Sequence, residues 1–254
     1  MRKLSVLGLI VLLCVFFTTT SVYAASIGGA ETQGKGKVAI GLDQEFVFNR
    51  DIEFDKANWD LGTISINKVK ISSLSRTMAK TSYGVLDNLD VYVKLGLADF
   101  KSETSYSGAR TGKSIYDAKN AFAYGLGMKG VYDLANDWLI GADLQYLRHR
   151  HNWSPKGDRS GEGDKATIQE WQIAPYLAKR LGNFVPYAGV KYSDVRMKTR
   201  WAGKDAGDWE KYKAKDNFGM FAGTGYKLND QLSLNVEGRF IDETAISFGC
   251  TYKF

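Results

Sequence analysis

The chain has 254 residues, 44% of them hydrophobic, 13% aromatic and 24% charged, with 27 Gly and 3 Pro; this excludes collagen, coiled coils, disordered tails and helical membrane bundles. With 14 Tyr, 13 Phe and a mean hydropathy of −0.28, aromatic and polar residues must interleave finely, as strands require. The formal charge of +6 falls to +4 once Arg2 and Lys3 leave with a leader, too little to argue for nucleic acid.

Residues 1–24 read as an export signal: Arg2 and Lys3, an apolar core from Leu4 to Phe17, then Val22 and Ala24 before a cut at Ala24/Ala25. The core is shorter than the roughly 20 residues of a spanning helix. Cys14 follows Leu13, where a lipoprotein signal has a small residue, so lipidation is not expected. The mature chain keeps one cysteine, Cys250, and can form no intrachain disulfide. Residues 25–36 are expected to be a flexible N-terminal segment and 37–254 the folded body.

That body carries four tight polar dipeptides, Asp87-Asn88, Asn136-Asp137, Gly182-Asn183 and Asn229-Asp230, at steps of 49, 46 and 47 residues. An aromatic precedes each and an apolar residue follows, which marks a repeat of hairpin pairs. The stretches 49–62, 101–118, 150–165 and 194–216 are polar and are expected to be four long loops on the opposite side. Apolar residues alternate with period two between these punctuations, as in Leu89, Val91, Val93, Leu95 and Leu97, or Ile246, Phe248, Cys250, Tyr252 and Phe254. The 45 outward positions assigned in this way on nine strands carry no charge, where the overall composition would place roughly 11. A tenth strand near 66–83 changes parity between Ile66 and Val69; Ala79, Thr81 and Tyr83 are favoured as its outward set. A chain without long apolar helices enters a membrane only as a closed barrel. The expected fold is all-β, a transmembrane up-and-down antiparallel β-barrel of ten strands, with eight or twelve as the neighbouring even counts. Tyr83, Tyr132, Trp138, Tyr176, Phe184, Tyr226 and Phe254 would form the aromatic girdle beside the short turns, and Phe46, Phe48, Phe100, Tyr146, Tyr192 and Phe240 the other belt.

The inward parity holds Asp43, Glu45, Asp90, Lys94, Lys129, Asp143, Glu170, Lys191, Glu237, Arg239 and Lys253. Such balance suits mutual pairing in a confined lumen, since an unpaired buried charge is costly, and a barrel near eight strands is filled by its own side chains. The network singled out is Asp43, Glu45, Lys94, Lys129, Asp143, Glu170, Lys191, Glu237 and Arg239. His149, His151, Trp153, Trp201, Trp209 and Tyr212 lie among Lys and Arg in the expected loops, a composition apt for glycans, peptides or anionic headgroups. The two histidines lack a third ligand nearby, so no metal or other cofactor is expected.

The final residues, AISFGCTYKF, alternate strictly and end on Phe. This resembles the C-terminal signature of bacterial outer-membrane β-barrel proteins, the porin-like superfamily. The resemblance implies an outer-membrane location, contact with lipid and lipopolysaccharide, and recognition of Phe248, Tyr252 and Phe254 by the barrel assembly machinery. Omptin proteases carry an Asp pair spaced by one residue and an Asp-x-His pair; neither spacing occurs here. Barrel lipid A deacylases resemble His-x-Ser, whereas His149 and His151 have no serine two residues on. The expected role is therefore structural or porin-like, with a narrow charge-packed lumen in a monomer. Surface binding through the long loops is the alternative, and an envelope hydrolase a minor one.

Overall fold

The computed structural model describes residues 26–57, 64–108, 111–152, 165–200 and 208–254. The expected leader, Trp153, Trp201 and most of the expected loop tips lie outside these residues. The described chain is antiparallel β-sheet: β1 (Val38–Ala57), β2 (Ile64–Leu86), β3 (Leu89–Gly108), β4 (Gly112–Asp133), β5 (Trp138–Asn152), β6 (Lys165–Lys179), β7 (Phe184–Arg200), β8 (Trp209–Ala214), β9 (Phe218–Lys227), β10 (Leu232–Phe240) and β11 (Thr244–Lys253).

Ten of these close a ring. Each strand from β1 to β7 pairs with the next, β7 continues through β9 and β10 to β11, and β11 pairs with β1 from Ala39↔Lys253 to Asn49↔Thr244. Hairpin chemistry sets the short end: Asn136 and Asp137 adopt φ of 59° and 62°, the paired left-handed conformation of a two-residue turn that matches strand twist. The ring is not uniform along its axis. β10 and β11 turn back after nine and ten residues, and beyond them β8 bridges β7 and β1 directly, through Arg200↔Trp209 and Ala57↔Glu210. The wall thus has ten strands at the short-turn end and eight toward the long-loop end.

Three of the expected loops, 49–62, 101–118 and 194–216, are largely strand, because β1, β3, β4, β7 and β8 extend well past the membrane belt. A fifth connection joins β10 to β11 on that same side, yet it spans only 241–243. Outward positions are apolar and exposed, among them Val93, Leu95, Leu97, Phe122, Leu126, Trp171 and Ile173. Such a surface on a closed barrel demands hydrocarbon, which places the protein in the outer membrane as a spanning barrel. Ala79, Thr81 and Tyr83 face outward on β2 while Arg76, Met78 and Lys80 face in. The parity change of this strand comes from register shifts between Ile66/Lys68 and Ile71/Ser73. Gln44 has outward parity but is buried, and it is satisfied sideways: its Oε1 accepts from Thr77 Oγ1 at 2.5 Å.

Candidate functional site in the lumen

Three lumen-facing tyrosines each lie over a glycine on the adjacent strand: Tyr92 against Gly127, Tyr176 against Gly141 and Tyr187 against Gly223. A Cβ on any of those glycines would come within about 2.6 Å of the phenol oxygen, so the absent side chain makes room for the ring. The hydroxyls then reach into the lumen, Tyr92 donating to Asp143 Oδ1 at 2.8 Å and Tyr187 to Glu237 Oε2 at 3.1 Å. Tyr176 therefore belongs to the interior and not to the girdle, and Phe100, expected in the other belt, is 1% exposed inside the barrel.

All nine residues of the expected charge network are buried in the lumen. Seven of them, all but Lys129 and Asp143, form a connected chain of ion pairs with Arg50, Arg76, Asp242 and Glu243; Lys129 donates instead to Ile27 O, and Asp143 accepts from Tyr92. Glu170 accepts from Arg50 at 3.0 Å and from Arg76 at 3.1 Å; Arg76 Nε lies 3.2 Å from Glu45; Lys94 lies 3.4 Å from Asp43. Arg239 pairs with Glu237 at 2.9 Å and approaches Glu243 at 3.4 Å. Glu243 and Asp242 come from the 241–243 turn, which folds inward to meet Arg50 and Lys191; Lys191 contacts both carboxylates. No period-two signal points to a turn residue, which is why these two acids were missed. An enclosed cavity of about 10 Å³ beside Arg50, Arg76, His149 and Glu170 has room for about one water molecule.

Above these charges the interior turns apolar. Ile52, Val69, Ile71, Leu74, Phe100, Ile168, Val195 and Met197 form a continuous buried cluster within the eight-stranded part. His149 and His151 stand at its edge and not in a solvated loop: they are 2% and 1% exposed, with Nδ1 of His149 2.7 Å from Nε2 of His151 and Phe100 packed on the second ring. Their phase continues that of Asp143, Gln145 and Leu147 on β5, a signal masked by the polar composition of LRHRHNWS. Tyr212 likewise points inward from β8 and donates to Glu210 at 2.5 Å. Trp209 stays at the rim, with the ammonium groups of Lys198 and Lys211 at 4.7 and 4.8 Å from its ring centroid. Among the described residues no group of three His, Cys, Asp or Glu side chains is placed to hold a metal.

Residues 26–36, expected to be flexible, thread the lumen from the short-turn end. Gly36 N donates to Gly84 O, Thr32 to Asp87 O, and Gln33 N to both oxygens of Asp90. Glu31 is clasped by Arg180 at 2.8 Å and Lys227 at 2.8 Å. Burial alone would raise its carboxyl, but the hydrogen bonds and charges of these two cations outweigh it and hold Glu31 below the ordinary carboxylate value. Further in, Ala30 and Ile27 pack in a cluster with Tyr176, Tyr187 and Phe221. Local composition reads as a flexible tether, but the enclosed donors and acceptors of the wall satisfy its backbone and so order it.

No protein-family model matches the chain, and no curated protein matches it. Solved structures similar to it are outer-membrane proteins. OprG from Pseudomonas aeruginosa aligns at 12% identity over 90% of this chain and 99% of its own, with a TM-score of 0.42. The protease OmpT from Escherichia coli aligns at 9% identity over 86% and 97%, with a TM-score of 0.47. Ail, the attachment invasion locus protein of Yersinia pestis, aligns at 11% identity over 88% and 100%, with a TM-score of 0.38.

Proposed function

We propose that this barrel is a structural, porin-like component of the outer membrane whose lumen is closed in its ground state and passes at most very small solutes slowly. The observation that carries the reading is the filling of the lumen: an ion-pair chain and an N-terminal segment below, an apolar core above. Water-filled porins use 16 to 18 strands, and a ring of ten that narrows to eight is filled by its own side chains and the threaded segment. The His149/His151 pair is 2% and 1% exposed and packs against Phe100, so a solvent-borne substrate has no route to its ring nitrogens in this closed state, which supports a non-enzymatic role. Strict alternation in β11, which ends with Phe254 N donating to Val38 O at 2.9 Å, supports recognition of Phe248, Tyr252 and Phe254 by the assembly machinery before closure.

Planar-bilayer recording tests this. The wild-type barrel should be silent or show rare small openings, and Glu237→Ala, which leaves Arg239 only the longer contact with Glu243, should lower the temperature at which the barrel unfolds on heat-modifiability gels. Sustained large conductance of the wild type would overturn the closed reading. A second reading rests on Trp209 between Lys198 and Lys211, a cationic aromatic rim suited to phosphates of lipopolysaccharide or other anionic glycans.

A further inference from the structure

The barrel's outer wall toward the long-loop end carries different charge on its two sides. On β5–β8 the outward residues fall into three rows across four neighbouring strands. Arg150, Thr167, Lys198 and Lys211 face one another along the middle row; Arg148, Gln169, Arg196 and Lys213 lie below it, and Asn152, Lys165, Arg200 and Trp209 above. Eight of these twelve positions are cations and none is a carboxylate. With strands about 4.8 Å apart and outward neighbours about 6.7 Å apart along a strand, this face is roughly 14 Å on each side. The alternate residues, among them Ile168, Val195, Met197 and Tyr212, are buried inside the barrel, so the cations point outward.

Such a face is costly by itself, because like charges opposite each other on paired strands repel. Lys198↔Lys211 and Arg196↔Lys213 are pairs of this kind. Two carboxylates relieve the margins: Asp194 pairs with Arg196 at 2.9 Å and Glu53 with Lys213 at 3.0 Å. Arg148, Arg150, Lys165, Lys198, Arg200 and Lys211 have no carboxylate within ion-pair distance among the described residues. The wall of β1–β4 is instead neutralised within itself: Lys68 pairs with Asp51 at 3.3 Å, Lys70 with Glu103 at 3.4 Å, and Lys101 stands opposite Asp117. An anion from outside therefore has a place on one side of the barrel and not on the other. Height says which anion. Trp138 and Arg148 are ten residues apart on β5, about 33 Å along the strand and about 25 Å once strand tilt is allowed for, which is the height of the apolar band of such barrels. The outward row just below the cations is the aromatic pair Tyr146 and Trp171, with ring centroids 4.7 Å apart. No polar gap separates hydrocarbon from the cationic rows.

We propose that the outward wall of β5–β8 is a docking site for one phosphorylated glycolipid of the outer leaflet, with its phosphates on the Arg150, Lys198 and Lys211 row, its sugars against Trp209 and its acyl chains over Tyr146 and Trp171. Phosphate oxygens supply the acceptors that the unpaired guanidinium and ammonium groups lack. Lys198 and Lys211 already flank the Trp209 ring at 4.7 and 4.8 Å, so one headgroup meets both charges and an aromatic face. A soluble polyanion satisfies the cations but has nothing to lay against the rings below them, whereas a lipid carries its phosphates directly above its chains. The inference rests on the rim reading of Trp209 and extends it to a single, one-sided site.

The test is native mass spectrometry of the barrel in zwitterionic detergent, with divalent cations chelated, after addition of bis-phosphorylated lipid A, the same lipid A stripped of phosphate, phosphatidylglycerol, or soluble inositol hexakisphosphate. The wild type should retain one lipid A and should discriminate against the other three. Arg150→Gln/Lys198→Gln/Lys211→Gln should weaken retention about a hundredfold, on the usual contribution of each basic residue at an anionic surface. The matched triple on the other wall, Lys68→Gln/Lys70→Gln/Lys101→Gln, should retain lipid A as the wild type does. Heat-modifiability on gels confirms that each variant forms the barrel, and the ligand comparison on the wild type stands without any variant. Equal loss in the two triples would overturn the one-sided site, as would equal retention of stripped lipid A or of phosphatidylglycerol. Preference for inositol hexakisphosphate would make the partner a soluble polyanion and overturn it too. If Trp209→Ala weakens retention while the β5–β8 triple does not, the rim reading stands and the docking wall falls; if neither variant matters, both fall.

Discussion

The two halves of the lumen are closed by different physics. At the eight-stranded end, Leu74, Phe100, Ile168, Val195 and Met197 pack as they would in a soluble core. At the ten-stranded end, strands from β1 to β11 converge on carboxylates, guanidinium groups, ammonium groups and a threaded peptide. Apolar packing is non-directional and tolerates small shifts, whereas the charged half is stable only while each member keeps its partners. The upper half therefore resists opening through burial, and the lower half through mutual dependence. A stimulus that removes one charge acts on the second and not on the first.

Substitutions break this comparison at unequal strengths. Glu170→Ala takes the shared carboxylate from both Arg50 and Arg76, leaving Arg50 to Asp242 and Glu243 and Arg76 to Glu45, and should cost about 3 kcal/mol, read as a lower urea midpoint in lipid vesicles. An unchanged midpoint would show that the ion pairs do not hold the lower half. Ile168→Ala, in the apolar half, should cost about 2–4 kcal/mol yet leave conductance unaltered, because the charged half still closes the lumen. New openings in that variant would place the seal in the upper half instead.

Glu31→Gln removes the clasp of Arg180 and Lys227 and should weaken docking of the threaded N-terminal segment by about 1 kcal/mol, read as faster labelling of Ala30→Cys by a membrane-impermeant maleimide in a Cys250→Ser chain. The sign of its pH dependence follows from the lowered carboxyl. The contribution is complete above the unfolded carboxylate value and is lost as pH falls through the lower folded one. Protection should thus decline toward strongly acidic pH in the wild type, and the decline should be smaller in Glu31→Gln; identical profiles would remove Glu31 from the mechanism. Trp209→Ala has the smallest expected effect on the fold, about 0.5 kcal/mol or less. Weakened retention on lipopolysaccharide-containing vesicles with unchanged melting would support the rim as a contact surface.

Much of the barrel was legible wherever a strand kept one phase between two turns. Leu89 to Leu97 needed only alternation, and Asn136-Asp137 only the backbone preference of a tight hairpin. The lumen residues follow as the opposite phase, so alternation alone points to Asp43, Lys94, Glu170 and Arg239. His149, His151 and Tyr212 lie inside and not in the loops that their polar neighbourhood suggests, because a narrow lumen buries polar groups as readily as apolar ones. Tyr176 and Phe100 are girdle residues by type but inward by phase, and phase decides.

Strand phase, turn positions, the even ring and the identity of most lumen charges can be read from residue spacing, because each depends on spacing along one hairpin. The narrowing of the wall from ten strands to eight, the fold-back of Asp242 and Glu243 onto Arg50 and Lys191, and the course of residues 26–36 emerge only in the closed barrel. Those outcomes depend on which distant strands meet around a closed circumference, and local spacing carries no record of the circumference.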